Sequence, residues 1–180
     1  MPHVQSFAPI ENAKARVLIL GSMPGKASLA AGQYYAHAQN LFWRILGEIT
    51  DAGPALPYAA RARALKSCGI ALWDVLESCT REGSLDSAID DATISANDFA
   101  SFYRAHPRIA HVFFNGAKAE ACYRKHVLPA LADAAASPSY RRLPSTSPAN
   151  ASMSRAHKHR VWQQALRLAL AGYQRSGGAR

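Results

Sequence analysis

The chain has 180 residues, 49% of them hydrophobic, and a formal net charge of +9. That length suits one domain over 1–180 with a buried core, and the apolar content excludes disorder over most of it. No apolar run approaches the ~18 residues of a membrane span, and MPHVQSFAPI lacks the basic-then-apolar order of a secretory signal, so a cytoplasmic protein is expected.

Val17-Leu18-Ile19-Leu20 is an unbroken apolar run ending at Gly21, the pattern of a buried parallel strand entering a glycine turn. Leu41, Phe42, Ile45, Leu46 and Ile49 recur at helical spacing after Asn40, which is placed to cap that helix. DAGPALP at 51–57 breaks the chain before a short helix over about 58–67. Residues 69–75, GIALWDV, read as a second strand, and the polar, acidic stretch 77–93 as a surface loop. Ser95 with Asp98 has capping-box spacing and opens a helix that Pro107 ends. His111 to Phe114 is a third strand stopping at Asn115-Gly116, and an Ala-rich helix follows over about 117–135. Ser139 to Leu143 is a fourth, weaker strand. A helix over about 153–172 sets Val161, Ala165 and Leu168 on one face, beside Trp162 and Ala169, and about 173–180 is a flexible tail.

Strands alternate with helices, so the expected fold is α/β: a three-layer α/β/α sandwich on a parallel sheet of about four strands. Sites of such sheets lie beyond the carboxyl ends of the strands. GSMPG follows the first strand, Asn115-Gly116 the third and PSTSPAN the fourth, so the three are expected to converge on one cleft. GSMPG is not a phosphate-binding P-loop, because Lys26 stands where that motif needs its second glycine.

Charge identifies the partner class. Residues 1–140 hold 13 Lys and Arg against 12 Asp and Glu, whereas 141–180 hold eight basic residues and no acid. A polyanion, DNA or RNA, is the expected partner, with Arg155, Lys158 and His159 as phosphate contacts beside the small hydroxyls of Ser145 and Ser147. Cys68, Cys79 and Cys122 are odd in number and widely spaced, which fits reduced, buried thiols rather than a disulfide or a four-cysteine cluster. His157 and His159, one residue apart on a helix, point to different faces, so no metal site is expected.

Four stretches together resemble the uracil-DNA glycosylase superfamily, most closely its hypoxanthine-DNA glycosylase branch: residues 18–25 (LILGSMPG), 33–37 (QYYAH) with 40–43 (NLFW), 114–116 (FNG) and 143–150 (LPSTSPAN). The resemblance covers roughly 7–170. It implies a monofunctional enzyme that flips a deaminated base (hypoxanthine, uracil or xanthine) out of double- or single-stranded DNA, cuts its N-glycosidic bond and leaves an abasic site. It implies no cofactor, no metal and a monomer. Met23 stands where relatives carry an Asp or Asn that positions water, and methionine cannot do that. The resemblance passes this task to Asn40. Tyr35 matches the aromatic that stacks on the base, and Asn115 the base-reading asparagine, with backbone groups of Ser22 and Met23. Ser145 replaces a His or Asn of relatives, and Ala149 replaces their leucine wedge, leaving Met153 as a substitute; Ser147 and Asn150 complete the DNA-binding loop. The rival readings are a mismatch-specific uracil/thymine glycosylase, a damage-binding protein without catalysis, and a nucleoside hydrolase on the same architecture.

Overall fold

The computed structural model describes residues 2–131 and 138–174, with no side-chain detail for 172–174. β2 (Val17–Gly21), β3 (Ile70–Asp74), β6 (His111–Asn115) and β7 (Ser139–Leu143) form a parallel sheet in the order β3-β2-β6-β7. This is the expected four-strand sheet, flanked by helices as the α/β/α sandwich requires. Val17 to Leu20 are fully buried, which explains why β2 reads as a continuous apolar run. The register pairs Gly21 with Asp74 and Asn115 with Leu143, so the four carboxyl ends sit along one edge.

The helices are α1 (Lys26–Ala31), α2 (Phe42–Thr50), α3 (Tyr58–Ser67), α4 (Phe99–Ala105), α5 (Ala117–Cys122) and α6 (Arg155–Gln174). α2 packs on α6, with Phe42 edge-on to Trp162 at 6.2 Å between ring centroids. Each tryptophan is buried and donates its indole N–H to a loop carbonyl: Trp43 to Tyr34 at 2.8 Å, Trp73 to Phe7 at 3.1 Å and Trp162 to Pro144 at 2.8 Å. Buried indoles need such partners, and here they pin three loops to the core.

Several expectations are corrected. The segment 77–93 is not a loop. β4 (Leu76–Arg81) and β5 (Ile89–Ala96) pair antiparallel there, and β1 (His3–Gln5) joins them in a second sheet ordered β1-β4-β5. Its strands bury only some side chains, among them Leu76, Cys79, Arg81 and Ile89, so the composition stays polar. Ser95 lies in β5, and Asp98 alone caps α4 by accepting from Ser101 N–H at 3.0 Å. α1 is only six residues long, too short to leave a helical period in the sequence. The Ala-rich helix is shorter than 117–135. It gives way after Cys122 to a π turn at Tyr123–Val127 and a 3-10 turn at Leu128–Leu131, where Pro129 has no N–H to donate. The rest of that range, 132–135, lies outside the described residues, as do 175–180 of the expected tail; 173 and 174 close α6. The buried face of α6 is Trp162, Ala165, Leu166 and Ala169, and Leu168 is 68% exposed. All three thiols are free, with Cys79 and Cys122 buried and Cys68 half-buried. Among the described residues no helix is long and apolar enough to cross a membrane.

Candidate active site at the carboxyl edge of the sheet

The loops after β2, β6 and β7 converge, as their positions require, on a cavity of about 420 Å3. That volume suits a small ligand or one nucleobase with its sugar. Ser22, Met23, Tyr35, Asn40, Asn115, Ser145, Ser147, Ala149 and Asn150 all line it. Arg155, Lys158 and His159 do not.

Asn40 is held from two sides. Its Oδ1 accepts from Phe42 N–H at 3.0 Å, so it caps the first turn of α2 although Leu41 is the boundary residue. The neighbouring Leu41 N–H donates to the carbonyl of Thr146 at 3.1 Å. One Oδ1 lone pair and the Nδ2 group remain for a ligand or water. Capping and ligand binding are therefore compatible in this residue.

Tyr35 has a left-handed backbone, φ 54, which costs a non-glycine residue on the order of 1 kcal/mol. Its ring stacks on fully buried Phe42 at 4.1 Å and 22°, which fixes that conformation. Its hydroxyl is buried with no well-formed hydrogen bond, although the nearby Asn115 side chain favours its ionised form; burial outweighs that and pushes its pKa up, so it stays neutral.

Asn115 is more constrained than its sequence position implies. Its Nδ2 donates to Thr146 Oγ1 at 2.9 Å, and its Oδ1 accepts from Thr146 N–H at 2.9 Å. Thr146 is fully buried. Asn115 thus locks the loop after β7 to the end of β6, and through Thr146 and Leu41 it fixes the approach to Asn40. One N–H and one lone pair are left to face the cavity. Gly116, at φ 96, sits where a Cβ would lie 3.0 Å from that of Ser145, so the two loops meet only because this residue is glycine.

The loop 145–150 is tied mostly to itself. Ser145 Oγ accepts from Ser147 N–H at 3.3 Å, and Ser147 Oγ from Ala149 N–H at 3.2 Å. Asn150 Nδ2 donates to Ser145 O at 3.4 Å. Lys158 departs from its expected phosphate role. It is 3% exposed, and its ammonium donates to the carbonyls of Ser147 at 3.3 Å and Asn150 at 2.6 Å. It is an internal clamp, and burial lowers its pKa. His159 also faces a protein partner, Glu48 at 3.0 Å, rather than open solvent. Arg155, at the start of α6, is exposed. Ala149 and Met153 are exposed as well, Met153 at 42%.

Two carboxylates that the sequence reading did not single out complete the wall. Asp74, the last residue of β3, is 3% exposed and lines the cavity. Its Oδ2 accepts from the Ser6 hydroxyl at 2.7 Å. Burial raises its pKa to about 7; Asp86 adds to the rise, while Ser6 and Arg81 oppose it. Asp86 accepts from the Ser22 hydroxyl at 2.6 Å. Asp74 had a sequence signal, a lone acid closing the apolar run of GIALWD. Asp86 had none, because it lies among other acids. Arg81, 1% exposed, donates to the Pro24 carbonyl and props the loop after β2 from beneath. Among the described residues no group of three His, Cys, Asp or Glu could hold a metal ion.

The arrangement resembles that of known proteins. Residues 8–167 match the family described as the uracil DNA glycosylase superfamily. A hypoxanthine DNA glycosylase of Methanosarcina barkeri is 41% identical over 115 residues, 63% of this chain and 72% of that protein. One from Methanosarcina acetivorans is 37% identical over 116 residues, 64% of this chain and 72% of that protein. The solution NMR structure of a candidate uracil DNA glycosylase from Methanosarcina acetivorans superposes with a TM-score of 0.76 at 32% identity, covering 93% of this chain and 99% of that one. With its sheet, its converging loops and a sequence match over most of its length, the chain belongs to the uracil DNA glycosylase superfamily.

Proposed function

We propose that this protein is a DNA glycosylase that draws a deaminated base, hypoxanthine foremost, out of DNA and hydrolyses its N-glycosidic bond to leave an abasic site. It works as a cytoplasmic monomer without a cofactor. The observation that carries the reading is Asn40, anchored by Phe42 N–H with its free amide edge lining the cavity. The Methanosarcina relatives, named for hypoxanthine, support that base.

The base stacks on Tyr35, whose ring is backed by Phe42. Extrusion costs a few kcal/mol, least for a mispaired base, which favours deamination products. Asn115 and the backbone of Ser22 and Met23 read the base edge. As the base departs, positive charge grows on the sugar, and Asn40 orients a water against that carbon. An amide cannot remove a proton, so its contribution is position. Ser145, Ser147, Ala149 and Asn150 follow the DNA strand, and exposed Arg155 meets phosphate. Lys158 and His159 serve by holding the loop and α2 in place.

The test uses duplexes carrying one inosine, uracil or xanthine opposite each normal base, followed by alkaline cleavage of abasic sites. Strand cleavage at inosine, lost in Asn40→Ala with binding intact, is expected. Cleavage mainly at uracil overturns the choice of base. Binding without cleavage at any base favours a damage-binding protein, for which Met23 and Ser145 are the sequence argument.

A further inference from the structure

We propose that Asp74 is the proton donor to the departing purine, delivering its proton to a ring nitrogen, N3 or N7, as the glycosidic bond breaks. This rests on the reading above that hypoxanthine is removed, and it adds a residue and a reason for purine preference.

The geometry is specific. Asp74 ends β3 beside Gly21, and a Cβ on Gly21 would fall 2.4 Å from Asp74 Oδ1 and 2.9 Å from the Tyr35 hydroxyl. The bare backbone of Gly21 therefore admits two polar atoms into the cavity wall at one point. Asp74 Oδ2 is committed to Ser6, and the other oxygen is the one over Gly21. Burial, with the charge of Asp86, favours the neutral form of this carboxyl against the opposing Ser6 hydroxyl and Arg81. Tyr34 and Tyr35, from the loop after α1, and Tyr58 of α3 carry no charge, because burial raises all three. Asp86 adds negative charge. Arg81 is the cation felt there and favours the ionised form; its Nη2 is engaged with Pro24, while its Nε and Nη1 are buried without a hydrogen-bond partner. A carboxyl of this kind holds its proton near neutrality and can give it up, the requirement for a general acid.

The step balances. The proton leaves Asp74 for the purine ring nitrogen, and the C1′–N9 electron pair withdraws into the base. The base departs as a neutral tautomer, leaving Asp74 ionised and positive charge on the sugar. The water held by Asn40 adds to C1′ and releases one proton, which returns Asp74 to its starting state. Uracil, bonded to the sugar through N1 and protonated at N3, offers no ring nitrogen to receive the proton, so this assistance selects purines.

Single-turnover release of hypoxanthine is measured from an inosine duplex over roughly pH 5.5–8.5 for the wild type, Asp74→Asn and Ser6→Ala. The wild-type rate is expected to fall as pH rises through neutrality. Asp74→Asn is expected to lose at least about a hundredfold and to become flat with pH, with duplex binding kept. Ser6→Ala removes a bond that favours the ionised form, so its midpoint is expected to move upward. Retention by Asp74→Asn of a rate within about threefold at neutral pH overturns the proposal. A flat wild-type profile, or an unmoved Ser6→Ala midpoint, overturns it even where Asp74→Asn does not fold. Wild-type release of hypoxanthine together with any of these results refutes only the role of Asp74. Absence of release from the wild type refutes the glycosylase reading itself.

Discussion

A buried carboxyl titrating at about 7 must make folding depend on pH. The ordinary aspartate value is 3.8, so between there and 7 the native state holds a proton that the unfolded chain has released. The stabilisation is complete below the ordinary value and is lost as pH rises through 7. Asp74→Asn removes the ionisation. It is expected to melt higher than the wild type above neutrality, by an amount on the order of a few kcal/mol, and to lose the advantage towards pH 4. Urea titrations at a series of pH values check this. Gly21 supplies a second residue-scale prediction. Gly21→Ala places its Cβ 2.4 Å from Asp74 Oδ1, so it is expected to destabilise by about 1–3 kcal/mol and to slow base release. Thr146→Val removes the hydroxyl that accepts from Asn115 Nδ2, while its backbone N–H still serves Asn115 Oδ1, and it is expected to cost about 1–3 kcal/mol, read from the same titrations.

The elements divide the basic residues into clamps and contacts. α6 presents Lys158 inward to the carbonyls of Ser147 and Asn150, and Arg155 outward to solvent. Each phosphate contact adds about 0.9 to the slope of log affinity against log salt. Arg155→Gln is expected to flatten that slope by about one contact. Lys158→Met is expected to leave the slope unchanged while costing about 1–3 kcal/mol of stability, because two carbonyls lose their donor. Anisotropy of a labelled duplex across a salt series separates the two. A lower slope in Lys158→Met would mean that the ammonium leaves the loop when DNA arrives.

Across the whole molecule the charge is one-sided, and the fold sets how much of it is free. Arg142 pairs with Glu120 at 3.4 Å, His159 with Glu48, and Lys158 is internal. Arg141, Arg155, Arg160 and Arg167 are the exposed cations of 141–171 for which no ion pair forms among the described residues. With three or four phosphate contacts, duplex affinity is expected to fall roughly 40–150-fold between 50 and 200 mM salt. A fall of several thousandfold would require more contacts than these arginines provide.

The sequence by itself determined the parallel sheet and the convergence of the three loops. Buried strands leave continuous apolar runs, and the turn residues that end them are explicit in the chain. It also brought out Asn40, Tyr35 and Asn115, which carry the family resemblance. The antiparallel sheet over β4 and β5 escaped, because half-exposed strands carry polar residues that read as loop. Only the tertiary structure decided which polar groups face the cavity. Burial and partner choice depend on contacts between residues far apart in sequence: Asp74 with Ser6, Asp86 with Ser22, Asn115 with Thr146, and Lys158 with the loop it clamps.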